Sequence, residues 1–415
     1  MAFTLLALSP GVLAAAGELD STFDGDGRVT LDLGSSDEGA VDVAVQPDGK
    51  ILVLGRAGTS SVLARYDSTG ALDTSFDGDG VLVFASLRGA ALALQPDGKI
   101  VVAGTKQGNF AGDFAVARFN ANGSFDASFD NDGLVAVDFA NDSNDEGLGV
   151  ALQPDGKIVV VGSSDANQAL GTGTIVRFKS DGSPDDSFWN GGFASWCCNP
   201  SEATAVAIQP NGKIVVAGWT TPGYDRVHTR AMLVVRNRAN GGLDSSFGGD
   251  GWVPAKLGVD AQAFDVALQT DGSIVVAGHA GDGSVSDFAL ARYTSSGKLD
   301  TTFSGDGKRR MDFSGGADEA LGLVIQPNGR IVAAGFAAPL HHPSDADFGL
   351  ARYRSNGSLD LSFSANGKQR VRFGTNDQDY GFAVARQADG KLVVAGQATL
   401  TPDQYDLGLA RFLGL

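Results

Sequence analysis

The 415-residue sequence lacks much of what several common functions require. It has two cysteines, four histidines and five glutamates, and its formal net charge is -18. Binding to a nucleic-acid backbone or an anionic membrane surface requires a basic face, so the sequence predicts neither partner. Because aspartate favours turns whereas glutamate favours helices, an acidic chain with 58 glycines is typical of a turn-rich, all-β protein.

Long apolar runs are also scarce. Residues 1–16 are apolar and end in small residues, which is typical of a secretory signal cleaved near Ala16. The basic segment that usually opens such a signal is missing, and a buried N-terminal strand is the alternative. No other run approaches the roughly 20 residues that span a bilayer. We therefore expect residues 17–415 to be a soluble, monomeric domain that is extracellular, periplasmic or held at the cell surface.

The two cysteines, Cys197 and Cys198, are adjacent. Neighbouring Cα atoms lie about 3.8 Å apart, below the usual separation of about 4.4–6.8 Å in a disulfide. Two free thiols and a strained vicinal disulfide are both left open, and export would favour the disulfide.

What the sequence does contain is one unit repeated seven times. A period of 50 to 60 residues indicates a propeller or a solenoid. Each unit has four short stretches with strand patterning, which in the first unit are residues 27–33, 40–46, 50–55 and 61–66. Four strands per unit predict a seven-bladed β-propeller with four antiparallel strands per blade. The repeated phenylalanine lies at Phe23, Phe76, Phe129, Phe188, Phe247, Phe303 and Phe363.

Some positions are the same in every copy. A glutamine precedes a hairpin turn, a glycine lies in the turn, and a second glycine ends the third strand, as in Gln46, Gly49 and Gly55. Asp-Gly or Asn-Gly at the turn fits a residue at positive φ. A site that is needed once gains nothing from seven equivalent copies, so these residues are interpreted as structural.

A charged pair also recurs. In six copies an arginine stands eight residues before an aspartate, as in Arg65 and Asp73. This spacing predicts a bidentate ion pair that connects the outer strand to the crossing into the next blade. Arg411 has no aspartate after it and Asp20 has no arginine before it, so we predict that these two residues pair and close the ring.

Two segments carry a family resemblance. Residues 95–104 read Gln-Pro-Asp-Gly-Lys-Ile-Val-Val-Ala-Gly, and residues 287–293 read Asp-Phe-Ala-Leu-Ala-Arg-Tyr. Together with Leu-Asp-x-Ser-Phe and Gly-x-Gly, these motifs resemble the delta-60 repeats of bacterial, often exported proteins, over residues 19–412. The resemblance implies a propeller-like repeat and export, and it supplies no catalytic residue. The fourth repeat departs most, with Pro184 in place of leucine.

Variation in length falls on one face of the predicted propeller. The hairpins and the Arg-to-Asp links have constant lengths, so the other face carries the variable loops. Binding residues tend to lie on variable loops held by a rigid scaffold, which makes this loop face the predicted functional face. The variable stretches are residues 141–147, 194–201, 219–230 and 336–345.

Aromatic residues cluster in repeats four and five, which contain all four tryptophans. Exposed aromatic rings can stack on sugars or anchor a protein partner. The alternative is that they fill space between blades. The candidate ligand-binding residues are Trp196, Trp219, Tyr224 and His228, of which Trp219 and Tyr224 are expected in a polar loop.

No cofactor is predicted, although calcium is left open. Asp-x-Asp-Gly turns such as Asp24 and Asp26 are similar to the start of a calcium loop, but the distal glutamate is absent. The first aspartate becomes glycine or serine in other copies, as a turn allows. Acidic residues before the second strand are the other candidates: Glu38, Asp145, Asp318 and Asp379.

Basic residues concentrate in repeats six, seven and one. If their strands are innermost, they form a patch near the channel for an anionic ligand. The alternative is that they pair with neighbouring aspartates. The residues are Lys308, Arg309, Arg310, Lys368, Arg370, Arg372 and Arg28.

No enzyme motif is present. His228, His279 and the pair at 341–342 lack ligand spacing, and the strands interpreted as innermost offer mainly Asp32, Asp138 and Asp312. We therefore predict a non-enzymatic scaffold that binds protein or glycan through its loop face. The alternative is a metal-assisted hydrolase or lyase with a carboxylate site at the channel mouth.

Overall fold

The computed structural model describes residues 15–107, 111–138, 143–165, 171–195, 201–222, 229–282, 285–340, 345–374, 378–401 and 404–414. Within these ranges the chain forms seven four-stranded antiparallel sheets and no helix. The predicted seven-bladed propeller is confirmed.

The strands follow one another blade by blade. The chain enters with β1 (Arg28–Leu31). Blades 1 to 3 contain β2 (Glu38–Val45), β3 (Ile51–Ala57), β4 (Ser60–Tyr66), β5 (Val81–Phe84), β6 (Arg88–Leu94), β7 (Ile100–Gln107), β8 (Gly112–Phe119), β9 (Leu134–Val137), β10 (Asp145–Leu152), β11 (Ile158–Ser164), β12 (Thr172–Phe178) and β13 (Phe193–Ser195). Blades 4 to 6 contain β14 (Ser201–Ile208), β15 (Ile214–Thr220), β16 (Ala231–Asn237), β17 (Trp252–Ala255), β18 (Asp260–Leu268), β19 (Ile274–Gly281), β20 (Ser286–Tyr293), β21 (Lys308–Met311), β22 (Gly315–Ile325), β23 (Ile331–Pro339), β24 (Asp347–Tyr353) and β25 (Lys368–Val371). Blade 7 contains β26 (Tyr380–Arg386), β27 (Leu392–Thr401), β28 (Gln404–Phe412) and β1.

The strand order within a blade differs from the order of a repeat. In blade 1 the order is β2-β3-β4-β5, and the first strands of neighbouring blades contact one another around the channel. The stretch that opens each repeat, such as β1, is therefore the outermost strand of the preceding blade. β1 pairs with β28 in register from Arg28–Ala410 to Leu31–Leu407, so the start of the chain completes the last blade.

The hydrophobic core lies between the blades. Side chains of a strand alternate between its two faces, and in β3 both faces are covered. Ile51 and Val53 pack against blade 7, whereas Leu52 and Leu54 pack against blade 2. All four are fully buried, which explains the uninterrupted apolar run after each hairpin.

Every innermost strand contains a β-bulge. In β2 the bulge falls at Val41, between Ala40, which pairs with Gly55, and Asp42, which pairs with Leu54. The bulge brings a carbonyl oxygen close to the second repeated glycine, which lies within the second strand of its blade, as Gly55 does in β3. At Gly278, for example, a Cβ atom would overlap the carbonyl oxygen of Gln262. The second repeated glycine is thus required by a close backbone approach.

The face opposite the variable loops, here called the hairpin face, carries a charged node in every blade. In the first, Nε of Arg65 donates to Oδ2 of Asp73 at 2.7 Å, and Nη2 donates to Ser75 at 3.0 Å. The guanidinium lies 4.8 Å from the centre of the Phe76 ring. The other oxygen of Asp73 accepts from Ser75, so the ion pair is not bidentate as predicted. Arg65 also lies on the third strand of its blade and not on the outermost one.

The seventh node joins the two ends of the chain. Nε of Arg411 donates to Oδ2 of Asp20 at 2.8 Å, and the guanidinium lies 4.5 Å from the centre of the Phe23 ring. The backbone N–H of Gly17 donates to the carbonyl oxygen of Leu413 at 2.7 Å. The chain ends therefore meet where the repeat spacing places them.

The predicted signal, residues 1–16, lies almost wholly outside the described residues and stays a prediction. The carbonyl oxygen of Ala16 accepts from the backbone N–H of Ser364 at 2.8 Å. In the described part of the chain there is no helix that is long and apolar enough to cross a membrane.

Candidate functional site at the channel mouth

Seven equivalent side chains line the central channel, one from the bulge of each innermost strand. A bulge re-aims the side chain that it carries, and here it aims that side chain at the channel. Unlike the hairpin glycines, these residues differ from blade to blade, from alanine and threonine to phenylalanine. The ring consists of Val41, Ala90, Leu148, Thr204, Phe264, Leu321 and Phe382.

On the loop face the channel opens into a cavity of about 440 Å³. Its floor contains the apolar side chains of the ring, including Phe264 and Phe382. Its walls add five charged residues, which are the arginines Arg56 and Arg88 and the acids Asp37, Glu38 and Glu202. A concave, partly apolar site with a few convergent polar groups is the usual form of a ligand-binding pocket.

The two arginines come from neighbouring blades, Arg56 from β3 and Arg88 from β6. Nε of Arg56 donates to the carbonyl oxygen of Gly89 at 3.1 Å. Among the described residues, no carboxylate lies within 4.0 Å of either guanidinium. Burial and the charge of Arg88 lower the pKa of Arg56 to about 10, against the opposing charges of Glu146 and Asp37. Within the described part of the chain the two arginines therefore lack a direct ion-pair partner, and such a pair can bind carboxylate, sulfate or phosphate groups.

Trp219 lies beside this cavity, on β15, and not in the polar loop expected from the sequence. Its half-buried ring lies 4.7 Å from the guanidinium of Arg230 and forms a hydrogen bond with Glu202. Burial and the charge of Glu146 raise the pKa of Glu202, whereas Arg230 and Trp219 oppose the rise. Trp219 thus supports the wall of the site, with one ring face covered by an arginine.

A second cavity, of about 320 Å³, adjoins the mouth between blades 5 and 6. Nδ1 of His279 lies 3.4 Å from Oε1 of Glu319, and Nε2 lies 3.8 Å from Oδ2 of Asp260. The imidazole ring is 7% exposed and packs on Phe264. Nδ1 of His279 and Oδ1 of Asp260 are buried without a hydrogen-bond partner among the described residues. The three titratable residues are far apart in the sequence, so their spacing gave no signal of this site.

Deeper in the channel lie two aspartates, Asp42 of blade 1 and Asp265 of blade 5. Oδ2 of each accepts a backbone N–H of the next blade, from Leu92 at 2.7 Å and from Leu323 at 2.6 Å. Burial raises the pKa of Asp42 to about 6. Burial, together with the charge of Asp42, raises the pKa of Asp265 to about 7. These residues replace Asp32, Asp138 and Asp312, which follow outermost strands, as the acidic groups of the channel.

The predicted basic patch near the channel is wrong, because its residues lie on the outermost strands β1, β21 and β25 or directly after them. A strand that opens a repeat completes the rim of the preceding blade. Several of these residues pair with aspartates, as the alternative interpretation held: Arg28 with Asp26 at 2.7 Å, Arg310 with Asp287 at 2.7 Å, and Arg370 with Asp347 at 2.7 Å.

The Asp-x-Asp-Gly turns have the geometry of turns. Asp24 has a φ of 48°, and Oδ1 of Asp26 accepts the backbone N–H of Arg28 at 2.8 Å.

Elsewhere, two groups of three carboxylates have ligand atoms within 4.8 Å of one another. They are Asp32, Glu38 and Asp406, and Asp287, Asp312 and Asp318.

Three of the four candidate ligand-binding residues, Trp196, Tyr224 and His228, lie outside the described residues, as do Cys197 and Cys198. Their predicted roles stay predictions. Of the four candidates the structure therefore places only Trp219, and it lies on a strand and not in the loop expected. The sequence missed the mouth arginines because each occurs at its position in only one copy.

Comparison with known proteins identifies the family to which the chain belongs. The chain belongs to the family described as "Domain of unknown function (DUF5122) beta-propeller". No curated protein matches the sequence. The family match covers residues 46–76, 95–129, 153–188, 209–247, 269–303, 326–363 and 387–413.

Several solved structures are similar to this chain at low sequence identity. An ulvan lyase bound to -[GlcA(1-4)Rha3S]- is 10% identical with a TM-score of 0.50, over 93% of this chain and 96% of that one. An inactive virginiamycin B lyase from Staphylococcus aureus with quinupristin is 10% identical, with a TM-score of 0.48, over 92% of this chain and 98% of that one. A protein of unknown function from Dyadobacter fermentans is 12% identical, with a TM-score of 0.48, over 80% of this chain and 96% of that one.

Proposed function

We propose that the protein is a non-enzymatic binding propeller that holds an anionic glycan at the channel mouth of its loop face. The observation that carries this proposal is the pair of mouth arginines, Arg56 and Arg88. Both are in the wall of the same cavity, and neither is within 4.0 Å of a carboxylate among the described residues. In a chain with a net charge of -18, two neighbouring arginines without a direct ion-pair partner are unusual.

The cavity suits a sugar in two further ways. Its apolar floor, with Phe264 and Phe382, offers ring faces that sugars stack on. Its volume of about 440 Å³ is within the usual range of about 300–1,000 Å³ for small-ligand sites. Glu202 at the wall and the carboxylates beyond it would repel a uniformly polyanionic chain, so we expect one or two acidic groups to bind at the arginines while neutral rings occupy the floor.

The test uses isothermal titration with a tetrasaccharide that alternates galacturonate with rhamnose and, as the neutral probe, maltotetraose. We expect the acidic probe alone to bind, and we expect Arg56→Ala and Arg88→Ala each to weaken binding at least tenfold. The matched control is Arg238→Ala, which removes one exposed arginine near the hairpin face. Equal weakening by Arg238→Ala, or unchanged binding in both mouth variants, would remove the proposed site.

We also propose that the protein is monomeric, bacterial and exported, as the resemblance to delta-60 repeats and the N-terminal apolar stretch suggest. Trp196, Tyr224 and His228 are proposed as further ligand contacts on the variable loops. Residue-specific N-terminal sequencing of the secreted protein, expected to begin near Gly17, tests export separately from binding.

A second function, acid–base catalysis on the bound glycan, is favoured by one observation. His279 lies between Asp260 and Glu319 in a cavity beside the mouth, and its ring packs on Phe264 of the channel floor. A base of this kind could remove a proton next to a uronate carboxylate. If the wild-type protein shortens the galacturonate probe and His279→Ala binds it without shortening it, the protein is an enzyme and the non-enzymatic proposal fails.

A further inference from the structure

The junctions between blades have a charge pattern that neither the propeller nor the proposed glycan site explains. Each junction has three corresponding positions in the repeat. The first is five residues before the node arginine, the second is nine residues after the repeat phenylalanine, and the third is eight residues before the hairpin glutamine. At the junction where blade 7 meets blade 1, they are Asp406, Asp32 and Glu38, whose carboxylate oxygens lie within 4.8 Å of one another.

At six of the seven junctions, either all three of these positions are acidic or none is. Three junctions have carboxylates at all three positions: Asp406, Asp32 and Glu38; Asp113, Asp138 and Asp145; and Asp287, Asp312 and Asp318. Three junctions have none: Ser60, Ala85 and Leu87; Thr172, Cys197 and Ser201; and Ala231, Lys256 and Ala261. Like charges at short range repel, so ionising all three carboxylates is costly unless a cation compensates them.

The remaining junction, between blades 6 and 7, contains such a cation within the protein. Its first and third positions are Asp347 and Asp379, and the second is Arg372. Nε of Arg372 lies 2.9 Å from Oδ1 of Asp347, and the charge of Asp379 also acts on the guanidinium. A positive group therefore occupies the place where the other acidic junctions have a third carboxylate.

At the junction of blades 7 and 1, no described residue supplies that charge. No lysine, arginine or histidine of the described chain lies within 4.0 Å of Asp406, Asp32 or Glu38. Asp406 is 3% exposed, and its one hydrogen bond with a described residue, from Gln404 to Oδ1, is 3.5 Å long. A buried carboxylate with so little compensation is costly unless a ligand neutralises it.

The third-position acid has a structural role that accounts for only part of this pattern. Glu38 accepts the backbone N–H groups of Leu33 and Ser35 at 2.8 and 2.6 Å, which fixes the loop after β1. That role requires one carboxylate. Two more carboxylates, those of Asp32 and Asp406, lie beside it within 4.8 Å.

We propose that the junction between blades 7 and 1 binds a calcium ion through Asp32, Glu38 and Asp406. All donors are carboxylate oxygens, which hard cations prefer, and buried Glu38 and Asp406 supply the charge that Ca²⁺ requires. Oxygens bound to one Ca²⁺ at about 2.4 Å are at most about 4.8 Å apart, which the three carboxylates satisfy. The ion joins the last blade to the first on the loop face, opposite the node of Asp20 and Arg411. Asp287, Asp312 and Asp318 form a second such site, in which Arg310 takes part of the charge of Asp287.

The test begins with protein treated with EDTA and titrated with CaCl₂ by calorimetry and by thermal unfolding. We expect calcium to raise Tm by about 2–5 °C, because it binds the folded ring alone. Asp406→Asn should lower the number of bound ions by one and reduce the Tm shift. The matched control is Asp48→Asn, at an exposed hairpin position where other copies have Asn211 and Asn328, and it should leave both values unchanged.

A second variant keeps the proposal falsifiable if Asp406→Asn fails to fold. Asp32→Arg copies the junction of blades 6 and 7, and its guanidinium should replace the ion. We expect a higher Tm in EDTA than that of the wild type, and one ion fewer bound. An unchanged number of ions in this variant, an effect of MgCl₂ equal to that of CaCl₂, or no effect of calcium on the wild type would each overturn the proposal.

Discussion

The two faces of the ring use arginine in opposite ways. On the hairpin face, Arg411 and its six equivalents are buried, and each forms an ion pair with an aspartate and lies over a phenylalanine. On the loop face, Arg56 and Arg88 occur once each and lie in the wall of a cavity without a close carboxylate among the described residues. A group that recurs with the same partner maintains the fold, whereas one that departs from the repeat is available for a ligand.

The largest expected difference between the faces is in stability. Arg411→Ala leaves Asp20 buried with Lys391 as its remaining cation, at 3.0 Å. We expect the free energy of unfolding to fall by about 3 kcal/mol, because removing one partner of a buried ion pair exposes the cost of burying the other charge. The measurement is urea denaturation. Arg56→Ala should change the same quantity by less than about 0.5 kcal/mol, and equal losses in both variants would end the distinction between the faces.

A smaller loss of stability is expected where the bulge of an innermost strand contacts the second strand of the same blade. Gly278→Ala places a methyl group against the carbonyl oxygen of Gln262, so the inner strand must shift. We expect a loss of about 2–3 kcal/mol. Gly390→Ala is the control, since it has a φ of +93° and no atom within 4 Å of a new Cβ, and it should cost about 1 kcal/mol. If Gly390→Ala costs as much, backbone conformation and not the close approach explains both glycines.

The smallest expected effect is on how the free energy of unfolding depends on pH, which differs between the node aspartates and the channel aspartates. Burial alone would raise the pKa of Asp20, but hydrogen bonds from Thr22 and Lys391 and the charge of Arg411 lower it to about 2. Its stabilising contribution is therefore present above pH 4 and is lost as the pH falls towards 2. Burial raises the pKa of Asp42 to about 6 and that of Asp265 to about 7, so their contribution is lost as the pH rises through these values.

Between pH 5 and pH 8 we thus expect the free energy of unfolding to fall by about 1 kcal/mol, an amount limited by water in the channel. Asp265→Ala introduces the residue that blades 2, 4 and 7 have at this position, in Ala91, Ala205 and Ala383. It should flatten this part of the pH profile, measured by urea denaturation at each pH. An unchanged slope would show that other groups titrate there.

Most of the fold could be read from the repeat, but strand order could not. The period, the hairpin turns and the pairing of Asp20 with Arg411 are all visible as recurring residues. Each repeat, however, begins with a strand that belongs to the preceding blade, and the pattern of Arg28 to Leu31 gives no sign of which neighbour it pairs with. Because of this offset, the basic residues lie at the rim and not near the channel as predicted. The channel carboxylates are Asp42 and Asp265, whereas Asp32 was predicted.

The second repeated glycine, which lies on the second strand of each blade, was the one available sequence signal of the channel. A glycine required in all seven copies marks a close backbone approach. Here it marks the bulge that aims Val41 and its equivalents at the channel. The mouth arginines carry no such mark, because a residue that occurs in one copy looks the same whether it binds a ligand or covers the surface.

The sequence by itself determined the number of blades, the turns between strands and the closure of the ring, because each of these depends on local patterns repeated at a fixed period. Only the tertiary structure decided which strand is innermost and which side chains meet at the channel mouth and at the junctions of the blades. His279 with Asp260 and Glu319, and Asp406 with Asp32 and Glu38, are brought together from distant parts of the chain. Their proximity follows from how curved sheets pack around a common axis, and that packing is not encoded in any single stretch of residues.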